Sequence, residues 1–135
     1  MSSLPIFDIA GSALSAQSLR MNTLASNLAN ADSISGDPAT VYRAREPVFS
    51  TFSVGTDASL LGVQAKTIEL STAEPIKRFE PGNPLADKQG YVYAPSIDPV
   101  AQMVNLISAS RGYQAGVEMI TTAKELAVAT LAMGR

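Results

Sequence analysis

The sequence predicts a mainly α fold in which two long terminal helices, paired as a coiled-coil-like hairpin, flank a small β-rich insert. Charge is sparse at both ends, with three charged side chains in residues 1–35 and five in residues 99–135, against fourteen in residues 36–98. Seven of the eight prolines fall between Pro38 and Pro99. Because proline and glycine interrupt regular structure, turns and strands are expected in the middle. These three ranges are therefore predicted as an N-terminal helix, a central insert and a C-terminal helix.

The first helix is predicted over residues 5–30. Pro5 suits the first helical position, and Asp8 lies in the first turn, where a negative charge is favourable. The polar run that follows Asn27 predicts an end near Asn30. Steps of four and three residues give a seam of coiled-coil spacing that only a glutamine interrupts. Its members are Ala10, Leu14, Gln17, Met21, Leu24, Leu28 and Ala31.

The central insert carries the signals of strands and turns. Strands are predicted over residues 47–54 and 61–70, where β-branched and aromatic residues are frequent, and a short third strand over residues 91–93. Turn clusters lie at residues 55–57 and 81–84. The insert is therefore expected to be β-rich, although the sequence does not predict how the chain runs through residues 36–80.

The second helix is predicted over residues 99–133. Asp98 is a good N-cap, Pro99 suits the first turn, and Gly134 ends the pattern. At 1.5 Å per residue such a helix is roughly 50 Å long, more than one small domain needs, so partners are expected. Its apolar positions recur at three and four: Val100, Met103, Val104, Ile107, Val117, Ile120, Ala127, Val128 and Leu131.

The matching spacing predicts that the two helices pack antiparallel in the assembled state. The residues expected to face each other are Leu14, Met21, Leu24 and Leu28 on one side, and Met103, Ile107, Val117 and Ile120 on the other.

Composition excludes several classes of function. The chain has no Cys and no His, which removes thiol and imidazole chemistry and most transition-metal sites. A net charge of −2 disfavours nucleic-acid binding. The charges in residues 74–88 alternate in sign, which favours a solvated loop over an acid/base pair, and no calcium-loop spacing is present. No catalytic residue, metal or cofactor is predicted, and no cleavable signal peptide or membrane insertion.

Two groups of residues in the helices are unusual. Gly112 and Gly116 lie four apart in the second helix, where each costs about 1 kcal/mol of helix propensity relative to Ala. They allow another helix to approach closely, or they mark a frayed segment. Asn22, Asn27 and Asn30 are either interhelical hydrogen-bonding groups or solvent-exposed residues. The sequence leaves both alternatives open.

Both ends of the chain resemble one known family. The segment Ala25-Ser-Asn-Leu-Ala-Asn30, within residues 11–32, resembles the N-terminal signature of bacterial flagellar rod and hook proteins. The C-terminal signature of that family is similar to residues 90–95, 103–115 and 122–126. Gly116 stands where the family usually has Asn. The resemblance is weakest in the central insert.

The resemblance implies a structural, non-enzymatic subunit of the flagellar rod, and the short chain points to the proximal rod. It implies export through the flagellar type III apparatus and assembly in the periplasm with copies of itself and other rod proteins. A subunit of another type III-exported filament or needle, or a small ligand-binding domain, is the alternative. The residues expected to carry assembly and helix packing are Leu14, Met21, Leu24, Asn27, Leu28, Asn30, Met103, Ile107, Arg111, Gly112, Tyr113, Gln114, Gly116, Val117, Ile120 and Lys124.

Overall fold

The computed structural model describes residues 5–55 and 59–134, and it confirms two terminal helices with a small β region between them. Two residues of the turn predicted at 55–57 lie outside the described residues. The elements in chain order are α1 (Pro5–Ala29), β1 (Arg45–Ser53), β2 (Leu61–Leu70), β3 (Ile76–Phe79), β4 (Tyr91–Ala94) and α2 (Pro99–Met133).

Local signals set the limits of both helices. At the start of α2, the Asp98 carboxylate accepts hydrogen bonds from the backbone N–H of Val100 (2.9 Å) and of Ala101 (3.4 Å). This N-cap satisfies donors that the first turn leaves free. At the end of α1, the Asn30 side chain donates to the Ser26 carbonyl (2.8 Å). Both helices therefore end within a residue of the positions predicted.

Strands β1 and β2 form an antiparallel ribbon, with Arg45 opposite Leu70 and Ser53 opposite Leu61. The register shifts between Val48 and Phe49, which marks a β-bulge. Residues 64–70 of β2 are exposed throughout, so this part of β2 has no cover within the chain.

The ribbon is held against α1 near its turn. The Ser12 hydroxyl donates to the Ile9 carbonyl (2.7 Å) and accepts from the Val63 backbone N–H (3.1 Å), so it ties β2 to the helix. A Cβ added at Gly62 would lie 2.7 Å from the Phe52 ring and 3.0 Å from the Ser12 hydroxyl. A larger residue at this position would have to displace the Phe52 ring, so glycine allows the close passage of β2.

A second, smaller antiparallel sheet pairs β3 with β4, and Ser35 adds a bridge to Tyr93 on the same sheet. The prediction that residues 74–88 form a solvated loop is wrong in part, because β3 lies within this range. The Lys77 ammonium group on β3 lies over the Tyr91 ring on β4, 3.9 Å from the ring centroid. The order of charges along the sequence does not reveal this cross-strand contact. Before β4, the Tyr91 N–H bonds to Asp87 and lowers the pKa of that carboxyl.

The buried interior is small and is built from small side chains. The buried apolar residues are alanines and valines, and no Leu, Ile, Phe or Met is among them in the described residues. The members of this core are Ala10, Ala31, Val41, Ala44, Val54, Val92, Ala94 and Ala109. Large apolar side chains therefore lie partly or mainly at the surface of one chain.

Candidate assembly interface

The two helices lie side by side and run antiparallel. Near the end of α1 the Asn27 side chain donates to Gln102 Oε1 (3.3 Å), close to the start of α2. Near the start of α1 the Leu14 side chain lies against Gly116, farther along α2. The two helices therefore run in opposite directions. The predicted antiparallel direction is confirmed, and coiled-coil geometry stays a prediction.

Both helix glycines lie where α1 comes close. A Cβ added at Gly116 would lie 2.8 Å from Leu14 Cδ2, and one at Gly112 would lie 3.3 Å from Gln17 Nε2. The helix is continuous through both positions, so fraying does not explain them. Within one chain the two glycines do allow a close approach, and the approaching helix is α1. Their part in assembly stays a prediction.

Burial shows which residues form the seam between the helices. Every member of the seam predicted for α1 is buried or partly buried. On α2 the less exposed residues also recur at four and three, which defines one face. They are Pro99, Gln102, Leu106, Ala109, Tyr113, Gly116, Ile120, Ala123 and Ala127, and Ser110 beside Ala109 is also partly buried.

Within one chain, the face of α2 that meets α1 differs from the face predicted for the assembled state. Met103, Ile107 and Val117 are 49%, 56% and 42% exposed, and they lie outside the seam, whereas Ile120 is partly buried within it. The physical reason is volume. The α1 seam is filled by leucines and a methionine, so α2 alternates Leu106, Tyr113 and Ile120 with alanine and glycine there. Its other large apolar side chains lie outside the seam.

Asn27 connects α1 to three other parts of the chain. Its side chain is 2% exposed and accepts from the Arg45 N–H (2.8 Å) and the Tyr42 hydroxyl (3.0 Å). It donates to the Arg45 carbonyl (2.9 Å) and to Gln102. The amide thus fills all its hydrogen-bonding positions and occupies both backbone groups at the first residue of β1.

The three asparagines of α1 and its end behave differently. Asn27 is the interhelical group that one interpretation expected. Asn22 is exposed, and Asn30 closes its own helix. Sequence reasoning missed the bonds from Asn27 to Arg45 and Tyr42, because no sequence pattern relates residues 15 to 18 positions apart across an irregular loop.

One buried polar atom of the seam is not satisfied. Gln17 Oε1 is buried and has no hydrogen-bond partner among the described residues. It lies at the only polar position of the α1 seam. A buried acceptor without a donor is unfavourable by about 1–3 kcal/mol, so this position weakens the pairing of the helices.

The remaining predicted residues lie on the surface of α2. Arg111, Gln114 and Lys124 are exposed, and Tyr113 is partly buried in the seam. A single chain brings none of the three exposed residues into the helix seam. Their part in assembly stays a prediction.

The structure offers little for ligand chemistry. A cavity of about 410 Å³ lies between α1, α2 and β1, but its most buried polar side chain, Asn27, is already fully hydrogen-bonded by the protein. Within the described ranges no group of three or more acidic residues could hold a metal ion, and neither helix is long and apolar enough to cross a membrane.

Comparison with known proteins identifies the family. Residues 7–33 match the family described as flagella basal body rod protein, and residues 88–133 match the C-terminal family of flagellar basal body rod FlgEFG proteins. The chain is 50% identical to the flagellar basal-body rod protein FlgC of Escherichia coli O157:H7 and 49% identical to that of Salmonella typhimurium, each over the whole of both chains. The chain belongs to the FlgC family of flagellar basal-body rod proteins.

Membership of the FlgC family confirms the resemblance seen at both ends of the sequence. It extends the match through the central insert, because the FlgC protein of Yersinia enterocolitica is 51% identical over all of both chains. The chain is a structural, non-enzymatic subunit of the flagellar basal-body rod. The alternative of a ligand-binding domain is not favoured.

Proposed function

We propose that the pair of α1 and α2 is the module through which this subunit packs against copies of itself and other rod proteins in the proximal rod, so that the rod transmits motor torque. The observation that carries the proposal is an apolar patch on the first two turns of α2. Its members, here called the outer patch, are Val100, Met103, Val104 and Ile107, which are 67%, 49%, 60% and 56% exposed.

The spacing of the outer patch places its four side chains on one helical face. No charged residue lies between Asp98 and Arg111 to solvate that face. Contiguous apolar surface of this kind marks a protein–protein interface, because water contact with it is unfavourable by about 25 cal/mol per Å². A rod subunit, surrounded by neighbours, would cover it.

The C-terminal end of α2 offers a second uncovered surface. Because Leu14 lies beside Gly116, the start of α1 at Pro5 falls near residue 125 of α2. The last two turns of α2 therefore extend past the described part of α1. Their large apolar side chains are mostly exposed, at 64% to 81% for Leu126, Leu131 and Met133.

Support for the cellular setting comes from the family. The relatives are named as basal-body rod proteins, which favours assembly with other rod proteins over a different type III-exported filament. Export through the flagellar type III apparatus without a cleavable signal, followed by assembly in the periplasm, is part of the proposal. In it residues 1–35 and 99–135 form the inner rod domain, and residues 36–98 form the insert.

Complementation of a flagellated bacterium lacking its own rod subunit of this family tests the proposal. The unchanged chain should restore swimming and be found in isolated basal bodies. Val104→Asp places a charge in the outer patch and should abolish both, while the protein is still exported. Thr122→Asp is the matched control, since it adds the same residue at an exposed polar site of the same helix and should leave swimming intact.

Two results would contradict the proposal. One is failure of the unchanged, exported chain to enter basal bodies. The other is normal swimming when Val104→Asp and Ile107→Asp are combined, since two buried, unpaired carboxylates could not be tolerated in a packed interface.

A further inference from the structure

The cavity between α1, α2 and β1 carries an excess of positive charge. Arg20 of α1 and Arg45 at the start of β1 both line it, and both are exposed. Glu46 is the one acidic residue in its walls. When Glu46 neutralises one guanidinium, the other still leaves the cavity positive. The net charge of the whole chain is −2, so the charge in this cavity has the opposite sign.

Aromatic rings hold both guanidinium groups in place. The Arg20 Cζ atom lies 5.2 Å from the centre of the Phe49 ring, and the Arg45 Cζ atom lies 5.9 Å from the centre of the Tyr42 ring. Such contacts restrict a long side chain but do not neutralise its charge, and they leave the N–H groups at the edge of the guanidinium available. Both arginines are therefore positioned to bind an anion.

The other polar groups of the cavity have more donors than acceptors to spare. The acceptors Asn27 Oδ1 and Gln102 Oε1 are both occupied by bonds within the chain. The amide N–H groups of Gln102 and Asn105 and the Ser108 hydroxyl have no protein partner within the part of the chain that the structure describes. A positive, donor-rich cavity fits a negative group that accepts hydrogen bonds on two oxygens, which is what a carboxylate does.

We propose that this cavity receives the carboxylate of an Asp or Glu side chain from a neighbouring rod subunit, with Arg20 and Arg45 as the binding residues. The proposal rests on the assembly role proposed above and adds a charged contact to it. The walls supply no carboxylate except Glu46, so the occupant comes from another chain. A volume of about 410 Å³ has room for a whole acidic side chain.

Charge complementarity decides the chemistry of the occupant. An apolar side chain would take the guanidinium groups out of water and give them no partner, and a basic one would repel them. A carboxylate avoids both penalties, and its contact with arginine is the charge-assisted type of hydrogen bond.

The position of the two arginines links this contact to the internal fold of the subunit. Asn27 of α1 bonds to both backbone groups of Arg45, so the start of β1 is fixed relative to the helix. Arg20 lies on that helix and contacts Phe49 of the same strand. A carboxylate is held by both arginines only when the ribbon is seated on α1, so the contact favours subunits that have completed this packing.

Carbodiimide crosslinking in basal bodies isolated from the complemented bacterium tests the contact. The reagent joins a lysine amine directly to a carboxylate within ion-pair distance, and a guanidinium does not react. Arg20→Lys and Arg45→Lys each keep the charge and the apolar stem, so both variants should be exported and incorporated. The expected result is a product of two chains, absent from the unchanged protein, in which the introduced lysine is joined to an Asp or Glu of a neighbour.

The matched control is Arg43→Lys. Arg43 is exposed and lies two residues before Arg45, but it lines a different part of the surface, beside Glu74 and Pro75. Its replacement introduces the same amine close by in the sequence and should give no such product.

Three results would overturn the inference: no crosslinked product from either variant, a product that keeps the mass of one chain, or an equal yield from the control. A label on the chain separates the two proposals. If the labelled variants are incorporated and no product of two chains forms, the carboxylate site fails and the assembly role stands. If the unchanged chain is exported but not incorporated, the assembly role fails and the inference with it.

Discussion

The two helices of this rod subunit are similar in composition and differ in how the chain uses them. In α1, which has 25 residues, Ala10, Thr23 and Asn27 are buried, and the helix contacts both α2 and the ribbon. In α2, which has 35 residues, Ala109 is the one buried residue among those described, and α1 is the one element that it contacts. The first helix is the centre of the single chain, whereas most of the second faces outward.

The periodic apolar residues of the two helices therefore have different meanings. In α1 the large apolar residues mark the face that the chain buries. In α2 most of the large apolar residues lie on faces that the chain leaves exposed, and the covered face alternates Leu106, Tyr113 and Ile120 with small residues such as Ala109 and Gly116. Periodicity therefore shows that a face will be covered, but not whether the same chain covers it.

The largest expected effect comes from Asn27→Leu. Leucine cannot replace the bonds to Arg45, Tyr42 and Gln102, and buried groups left without partners are each unfavourable by about 1–3 kcal/mol. The free energy of unfolding of the full chain should fall by about 3 kcal/mol or more in urea titrations followed by circular dichroism.

The control for Asn27 is Asn22→Leu on the same helix. Asn22 is exposed, so its replacement in the free chain should change stability by less than about 0.5 kcal/mol. If both variants lose the same free energy of unfolding, the hydrogen bonds of Asn27 are not what holds α1 to the rest of the chain.

A smaller loss is expected from Gly116→Leu. The added side chain meets Leu14, and overpacking costs about 1–3 kcal/mol, partly offset by about 1 kcal/mol of helix propensity. We expect reduced stability of the helix pair, and loss of swimming with export intact. Ala115→Leu, at an exposed neighbouring position, should instead leave unfolding unchanged. A motile Gly116→Leu strain would argue that the close approach to α1 is dispensable.

The sequence was sufficient where the determining interactions are local. Asp98 and Pro99 set the start of α2 through bonds within one turn, and β2 follows from alternation along its own length. It was insufficient where partners are distant in the chain. The strand containing Lys77 depends on pairing with β4, and the outward position of Met103 depends on the volume already present on α1.

The N-cap of α2 offers a test of how far that helix relies on local interactions. Asp98→Ala removes two hydrogen bonds to backbone N–H groups and should destabilise the chain by about 1 kcal/mol, with some loss of helix content. Ser96→Ala, two residues earlier and exposed, is the control. No difference between these variants in thermal unfolding would mean that contacts with α1 alone fix the start of α2.

The smallest expected effect, and the one in the stabilising direction, comes from Gln17→Met. Methionine has nearly the shape of glutamine but no carbonyl oxygen, so the variant removes the unsatisfied Oε1 without leaving a cavity. Stability of the free chain should rise by up to about 1 kcal/mol, read as a higher midpoint in urea. Gln102→Met is the contrasting variant, because that glutamine accepts from Asn27 and its loss should lower the midpoint. If Gln17→Met also lowers the urea midpoint, Gln17 must stabilise the helix pair through its Nε2 group. Polar contacts would then stabilise the seam at Gln17 as they do at Gln102.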